Sequence, residues 1–353
     1  MTYFLIIVFG CLIAFLWVFF FNKFKILDKP WPDIIPKRNP VPNIQGVFLF
    51  FWVISSILIF FPEYFQSKEL LAFLVWWFII FVVSLLDSFW SVPAYIRLFV
   101  QSFVALIAFF LSWVGIYEIS VPFFGLIEFH WVIALIFTIA WFVLFMNAIN
   151  WFDWVNSLAS WVSSIWFLSI ILLIKFVVFP NYDVAEKQPL LEMVVDISFI
   201  LFVFSLVYSV VEFKPWWVLR DIGVMFLGFA LAYLALLGGA KIWTIVVALS
   251  LMIFDAFWVF INRIIVKKKN PLKWDYTHLH HRLLTLNRTR TETRFFIRGW
   301  SIFLMLVMIL LWDDRVAKYI MFVVMFLLFF GINSYLFWVK NLPYEYLKKD
   351  KTD

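Results

Sequence analysis

The sequence predicts an all-α, polytopic integral membrane protein of about eleven transmembrane helices, with the N-terminus outside and the C-terminus in the cytoplasm. Two facts of composition exclude a soluble domain: hydrophobic residues make up 65% of the 353 positions against 14% charged, and mean hydropathy is +1.00. The third observation is where the basic residues fall. Of 28 lysines and arginines, 22 lie in one alternating set of loops, which holds Lys23 to Arg38, Arg97, Lys214, Arg220, the cluster from Arg263 to Arg298, and the tail from Lys340 to Lys351. By the positive-inside rule that set faces the cytoplasm. A net charge of +6 is therefore an insertion signal, and no nucleic-acid partner is expected.

About 20 apolar residues cross a bilayer. The apolar runs place spans near 3–21, 47–62, 70–86, 98–116, 131–147, 158–179, 196–212, 222–238, 242–262, 298–312 and 317–339. The first run has no basic residue before it and several after it, which predicts an uncleaved first span. Cys11, the single cysteine, lies inside that run, so neither a disulfide framework nor a cysteine metal site is expected. No internal repeat or low-complexity linker interrupts the pattern. The expected organisation is one membrane-embedded domain over 1–339 and a basic cytoplasmic tail over 340–353.

The polar residues that carry chemistry fall in the predicted cytoplasmic loops. The first loop contains Asp28-Lys29-Pro30 and Lys37-Arg38-Asn39-Pro40-Val41-Pro42. Its prolines stiffen a segment whose cations Lys29 and Arg38 suit a phosphate, and they serve equally as a positive-inside anchor. The second loop opens with Asp87 and reaches Arg97. A carboxylate there suits a divalent cation or a proton, and equally a helix cap.

The third loop is the centre of the pattern. Asn147, Asn150, Asp153 and Asn156 stand three apart between two long apolar runs. At helical geometry they stay roughly on one face, making a polar stripe at a membrane-helix boundary, where such groups face a cavity or a partner. In the fourth loop Arg220-Asp221-Ile222-Gly223 leads into a helix with Leu227-Gly228. Asp221 stands at a helix N-terminus, as a cap or as a hard oxygen ligand for Mg²⁺. The fifth loop holds three of the four histidines in His278-Leu279-His280-His281-Arg282, after Asp255 and Lys267-Lys268-Lys269. With no cysteine nearby, zinc is poorly served. Imidazoles beside Arg282 suit an anionic diphosphate. Carboxylates, Mg²⁺ and cationic donors together are what phosphoryl transfer requires, with an acceptor that lives in the bilayer.

This ordered set resembles the polyprenyl-phosphate N-acetylhexosamine-1-phosphate transferases, within glycosyltransferase family 4, over residues 28 to 284. It comprises Asp28-Lys29-Pro30 with Pro40-Val41-Pro42, Asp87 with Arg97, the Asn147 to Asn156 stripe, Arg220-Asp221-x-Gly223 with Leu227-Gly228, and His278-Leu279-His280-His281-Arg282-Leu283. The resemblance implies transfer of a sugar 1-phosphate from a UDP-sugar to undecaprenyl phosphate, releasing UMP with Mg²⁺ or Mn²⁺, in a bacterial inner membrane. On that likeness Asp221 is the metal-binding aspartate, and Asp87 and Asp153 are the catalytic carboxylates. Asn147, Asn150, Asn156, Lys29, Arg38, His278, His280, His281 and Arg282 bind the substrates. The His-Leu-His-His-Arg-Leu form is similar to the branch that uses UDP-GlcNAc or a related sugar to begin O-antigen, teichoic acid or other surface glycans. The branch that transfers phospho-MurNAc-pentapeptide stands second. The likeness also implies a homodimer among membrane lipid. A transporter, or a non-catalytic homologue, is the alternative of another class.

The sequence departs from the family pattern at several positions. Ser88 and Asn156 stand where the family commonly has aspartates, and Arg220 where it has glycine. Trp31, Trp90, Trp154, Trp161, Trp217 and Trp274 stand where the pattern has or accepts glycine. Only 10 residues are glycine while 21 are tryptophan, against about 7% glycine in an average protein. This placement predicts a gene in which UGA encodes glycine, written here as tryptophan.

Overall fold

The computed structural model describes residues 1–24, 45–90, 92–121, 124–153, 155–181, 184–213, 219–239, 247, 250–266, 268, 278–285, 289–311 and 314–335. The chain divides into two compact units, one of Met1–Leu27 and Val41–Ile242, the other of Asp28–Pro40 and Trp243–Asp353. Both are helical, as the composition predicts.

The first unit contains α1 (Thr2–Phe24), α2 (Gln45–Phe60), α3 (Lys68–Trp90), α4 (Ala94–Ser112), α5 (Trp131–Phe152), α6 (Leu158–Leu173), α7 (Gln188–Val211) and α8 (Arg220–Leu237). A π turn over Ile174–Val178 and a short helical turn, Phe179–Asn181, prolong α6. One addition to the all-α expectation lies between α4 and α5. There β1 (Glu118–Val121) pairs antiparallel with β2 (Gly125–Glu128), Glu118 opposite Glu128 and Val121 opposite Gly125. Gly125, at φ 81°, supplies the turn conformation that a side chain resists.

In the second unit α9 (Ser250–Ile261) runs into a π turn at Asn262–Val266, followed by α10 (Leu279–Thr285), α11 (Arg290–Leu310) and α12 (Arg315–Ser334). The rings of Phe322, Phe326 and Phe329 on α12 surround Phe254 of α9 at 5.1, 5.4 and 5.9 Å. A capping box starts α11: Thr289 accepts from the Glu292 N–H while Glu292 accepts from the Thr289 N–H.

Among the described residues seven segments are long and apolar enough to cross a membrane: Lys68–Asp87, Tyr95–Ser112, Trp131–Phe152, Leu158–Asn181, Ala185–Val211, Thr291–Leu310 and Val316–Ser334. Thr2–Trp17, Gly46–Phe60 and Ile222–Leu237 are apolar stretches of the helices α1, α2 and α8, and the expected span at 242–262 lies partly outside the described residues. Large apolar side chains such as Phe15, Phe99 and Leu327 are exposed, which suits helices whose solvent is lipid.

Ile222–Leu237 lies at the packed centre of the first unit. This helix, α8, packs against α2, α3, α5, α6 and α7, and its residues from Ile222 to Ala235 are buried. Such closeness depends on small residues. A Cβ on Gly228 would lie 2.6 Å from the Met146 Cα of α5, and one on Gly46 would meet Ile222 at 2.4 Å. Elsewhere in the unit, Asp196 of α7 accepts from the hydroxyls of Tyr3 at 2.6 Å and Tyr64 at 2.5 Å, tying α1 and the turn after α2 to α7. Burial, and then the bond to Asp196, hold the Tyr64 phenol well above its ordinary pKa.

Helix α4 stops short of the expected 116 because Trp113 turns into the left-handed region, with φ 53° and ψ 23°. Glycine is the usual residue at such a C-cap, and a bulky one there is an outlier. Trp113 is 60% exposed, so it gains little packing in return. Trp113→Gly is expected to stabilise the protein by about 1 kcal/mol. Gly228→Ala is expected to destabilise it by roughly 1–3 kcal/mol through overpacking on α5. Thermal unfolding in detergent checks both signs.

Candidate functional site

The expected helical stripe is only half helical: Asn147 and Asn150 lie on α5, Asp153 is its C-cap and Asn156 lies in the turn beyond. Asn147, Asn150, Asp153 and Asn156 are each half-buried, whereas Ala148, Ile149, Phe152 and Val155 between them are buried. The stripe runs off the end of α5. Asp153 is the C-cap, and its N–H donates to the Asn150 carbonyl at 3.1 Å. A helix C-terminus carries the negative end of the macrodipole, which disfavours a carboxylate. Asp153 and the last carbonyls of α5 therefore make a locus that favours a cation.

The chain then turns sharply. Ser157, the N-cap of α6, is held at φ 72°, a strained conformation of the kind found at functional turns. Its hydroxyl donates to the Ser209 carbonyl on α7. One turn on, the Ser160 hydroxyl donates to Glu212 Oε2 at 2.7 Å, and Glu212 Oε1 accepts the Leu219 N–H at 2.8 Å. Leu219 is the N-cap of α8, two residues before Asp221. The starts of α6 and α8 thus converge on one carboxylate.

Two other predicted residues are engaged within the first unit. Asp87, with a side chain 9% exposed, accepts the Val92 N–H at 2.5 Å and pairs with Arg97 Nη1 at 3.3 Å. It bridges α3 to the entry of α4. The Asn147 amide donates to Gln101 Oε1 of α4 at 2.8 Å and to the Val143 carbonyl at 2.7 Å. Gln101 in turn donates to the Met225 sulfur of α8 at 3.2 Å, so one polar thread joins α5, α4 and α8. Asp221 lies in the first turn of α8, as expected; its side chain is outside the described set.

The histidines belong to the second unit. His278 Nδ1 lies 2.9 Å from Asp255 Oδ2, and Asp255 Oδ1 accepts the Leu279 N–H at 2.7 Å. Asp255 is buried on α9 and fixes both the ring and the start of α10. The His278 and His280 rings lie parallel, 5.9 Å apart. Arg282, also buried, donates to Asn333 Oδ1 of α12 at 2.6 Å, with its guanidinium 5.0 Å from the Trp258 ring. His281 is on α10 with its side chain outside the described set. Lys29, Arg38, Trp31, Trp154, Trp217, Trp274 and the tail 340–353 lie outside the described residues, as do the side chains of Ser88 and Trp90.

Among the described residues no group of three or more His, Cys, Asp or Glu gathers as a metal cage. Mg²⁺ does not need one, because it takes one or two carboxylates and fills its remaining positions with water and phosphate. The donors fit that requirement: they are hard oxygens, and Asp153 sits on the negative end of α5.

Sequence reasoning misses Gln101, Glu212 and Asn333 as site-building residues, and it marks Asp255 only for its nearness to the histidine loop. Each acts across a long sequence separation, 52 residues for Glu212 with Ser160 and 51 for Arg282 with Asn333. The one signal in the chain is a lone polar residue at the end of an apolar run.

Residues 70–239 match the family described as Glycosyl transferase family 4. A relative from Bacillus subtilis (strain 168), named "Probable undecaprenyl-phosphate N-acetylglucosaminyl 1-phosphate transferase", is 27% identical over 253 residues. The match covers 69% of this chain and 66% of the relative, just under two thirds of its length. The matched segment contains Asp87, the Asn147 to Asn156 stripe, Glu212 and Asp221 within one helical unit, and over that segment the chain is similar to glycosyl transferase family 4.

Proposed function

We propose that this protein transfers a sugar 1-phosphate, from a UDP-N-acetylhexosamine such as UDP-GlcNAc, to undecaprenyl phosphate, and so begins a cell-surface glycan. A phosphate oxygen of the lipid attacks the phosphorus that carries the sugar. The bond from that phosphorus to the bridging oxygen breaks, and UMP leaves with the electron pair. The products are a lipid-linked diphosphate sugar and UMP. The observation that carries this proposal is the acidic turn at the negative end of α5, tied through Glu212 to the start of α8, inside the segment matched by the family.

In this proposal Asp153 and Asp221 hold Mg²⁺, or Mn²⁺ in its place. The metal supplies charge neutralisation to the phosphate oxygens. Asp87 orders the α3–α4 entry through Arg97 and Val92. Asn150 and Asn156 offer amides to phosphate or sugar. His278, His280, His281 and Arg282, with Lys29 and Arg38 from the first loop, bind the nucleotide diphosphate, and Asp255 orients His278. Eleven spans, an external N-terminus, a cytoplasmic active face in the bacterial inner membrane and a homodimer complete the proposal, supported by the loop charge asymmetry and the family likeness. Glycine in place of Trp31, Trp90, Trp154, Trp161, Trp217 and Trp274 belongs to it as well. A tryptophan beside Asp153 fills space and removes glycine's backbone freedom.

Purified protein incubated with UDP-GlcNAc, undecaprenyl phosphate and Mg²⁺ is expected to release UMP. No UMP from any UDP-N-acetylhexosamine, with the glycines restored, overturns the proposal. Asp153→Asn and Asp221→Asn are each expected to lower kcat by about 100-fold or more, with normal folding in detergent. Asp255→Asn is expected to raise the KM for UDP-sugar roughly tenfold, the cost of a weakened charged hydrogen bond, while the KM for the lipid stays put. The codons at the six tryptophans are expected to be UGA, and the glycine-restored chain more active than the tryptophan chain. UGG codons at those positions sink the recoding idea.

A further inference from the structure

We propose that Glu212 is a positioning residue that sets the spacing between the Asp153–Asn156 turn and the Asp221 end of α8, an inference that rests on the proposed transferase reaction. Glu212 is the C-cap of α7 and is 0% exposed. A carboxylate is costly in such a place twice over: it is buried among apolar helices, and it sits at the negative end of a helix. Its two oxygens meet that cost by binding two different segments. Oε2 takes the hydroxyl of Ser160, in the first turn of α6, at 2.7 Å. Oε1 takes the backbone N–H of Leu219, the N-cap of α8, at 2.8 Å. Both partners are fully buried. One turn earlier on α7, the Ser209 carbonyl accepts the Ser157 hydroxyl, so α6 is tied to α7 at two levels.

The lengths of chain involved are short. Ser157 directly follows Asn156, and Leu219 directly precedes Arg220-Asp221. Little backbone freedom therefore separates each functional residue from the Glu212 tie. With both carboxylate oxygens bonded to protein, Glu212 acts through the segments it holds and not on substrate. Removing the side chain frees the α6 start and the α8 start from each other. Glutamine preserves the geometry, because its oxygen accepts from Leu219 and its amide donates to the Ser160 oxygen.

The test uses the full chain in detergent, comparing Glu212→Ala, Glu212→Gln and Ser160→Ala with the unaltered protein. Hydrogen exchange is measured without metal or substrate, alongside kcat and KM for UDP-GlcNAc and undecaprenyl phosphate. In Glu212→Ala, exchange over 155–160 and over 219–223 is expected to quicken together by about tenfold, the loss of one charged hydrogen bond, with α3 and α5 unchanged. Its kcat is expected to fall about tenfold or more while both KM values hold. Glu212→Gln is expected to restore exchange and kcat. Ser160→Ala removes one arm only, quickening 155–160 alone, and serves if Glu212→Ala does not fold. Exchange that changes in neither segment, or a Glu212→Ala enzyme as fast as the parent, overturns the inference. Absence of UMP release from the unaltered protein counts against the transferase proposal instead, since the exchange experiment needs no turnover.

Discussion

The cost of burying a carboxylate among apolar helices organises the first unit of this protein. In hydrocarbon an unpaired acid is worth several kcal/mol of destabilisation, so each buried acid there draws in donors from elements distant in sequence. Asp196 gathers Tyr3 and Tyr64 across separations of 193 and 132 residues. Glu212 gathers Ser160 and Leu219. Helices that apolar packing alone would leave free to slide are thereby held in register.

The same constraint divides labour among the polar residues of the site. Asp87 is occupied by Arg97 and the Val92 N–H, and Asn147 by Gln101. Both shape the helix ends around the turn. Asp153, at the unfavourable end of α5, keeps a carboxylate where the helix dipole favours a cation. In the second unit the Asp255–His278 pair follows the same logic, a buried acid fixing the orientation of an imidazole ring.

Close helix packing is the second theme, and it depends on glycine. Gly228 lets α8 lie against the Met146 backbone of α5, and Gly46 lets α2 approach Ile222. At Trp113 the backbone adopts a glycine conformation while the chain carries the largest side chain. That geometry bears on the scarcity of glycine in the sequence independently of any family pattern, because positive φ is disfavoured for every bulky residue.

The membrane class, the helical architecture and the ordered polar motifs follow from local properties of the chain: span length, apolar content and a three-residue spacing that any α-helix turns into a stripe. Asn147 and Asn150, half-buried on α5, follow from that spacing, whereas Asp153 and Asn156 lie where the helix ends and the chain turns, which the spacing does not foretell. What each acid does is a tertiary matter, because hydrogen bonds between helices join residues tens of positions apart and leave no periodic trace. Glu212 looks like an ordinary interfacial acid until α6 and α8 are seen to meet on it, and Asp255 a stray charge until His278 turns toward it. The β1–β2 hairpin is hidden for a related reason: eight strand residues between two long helices are too short a signal against the surrounding apolar runs.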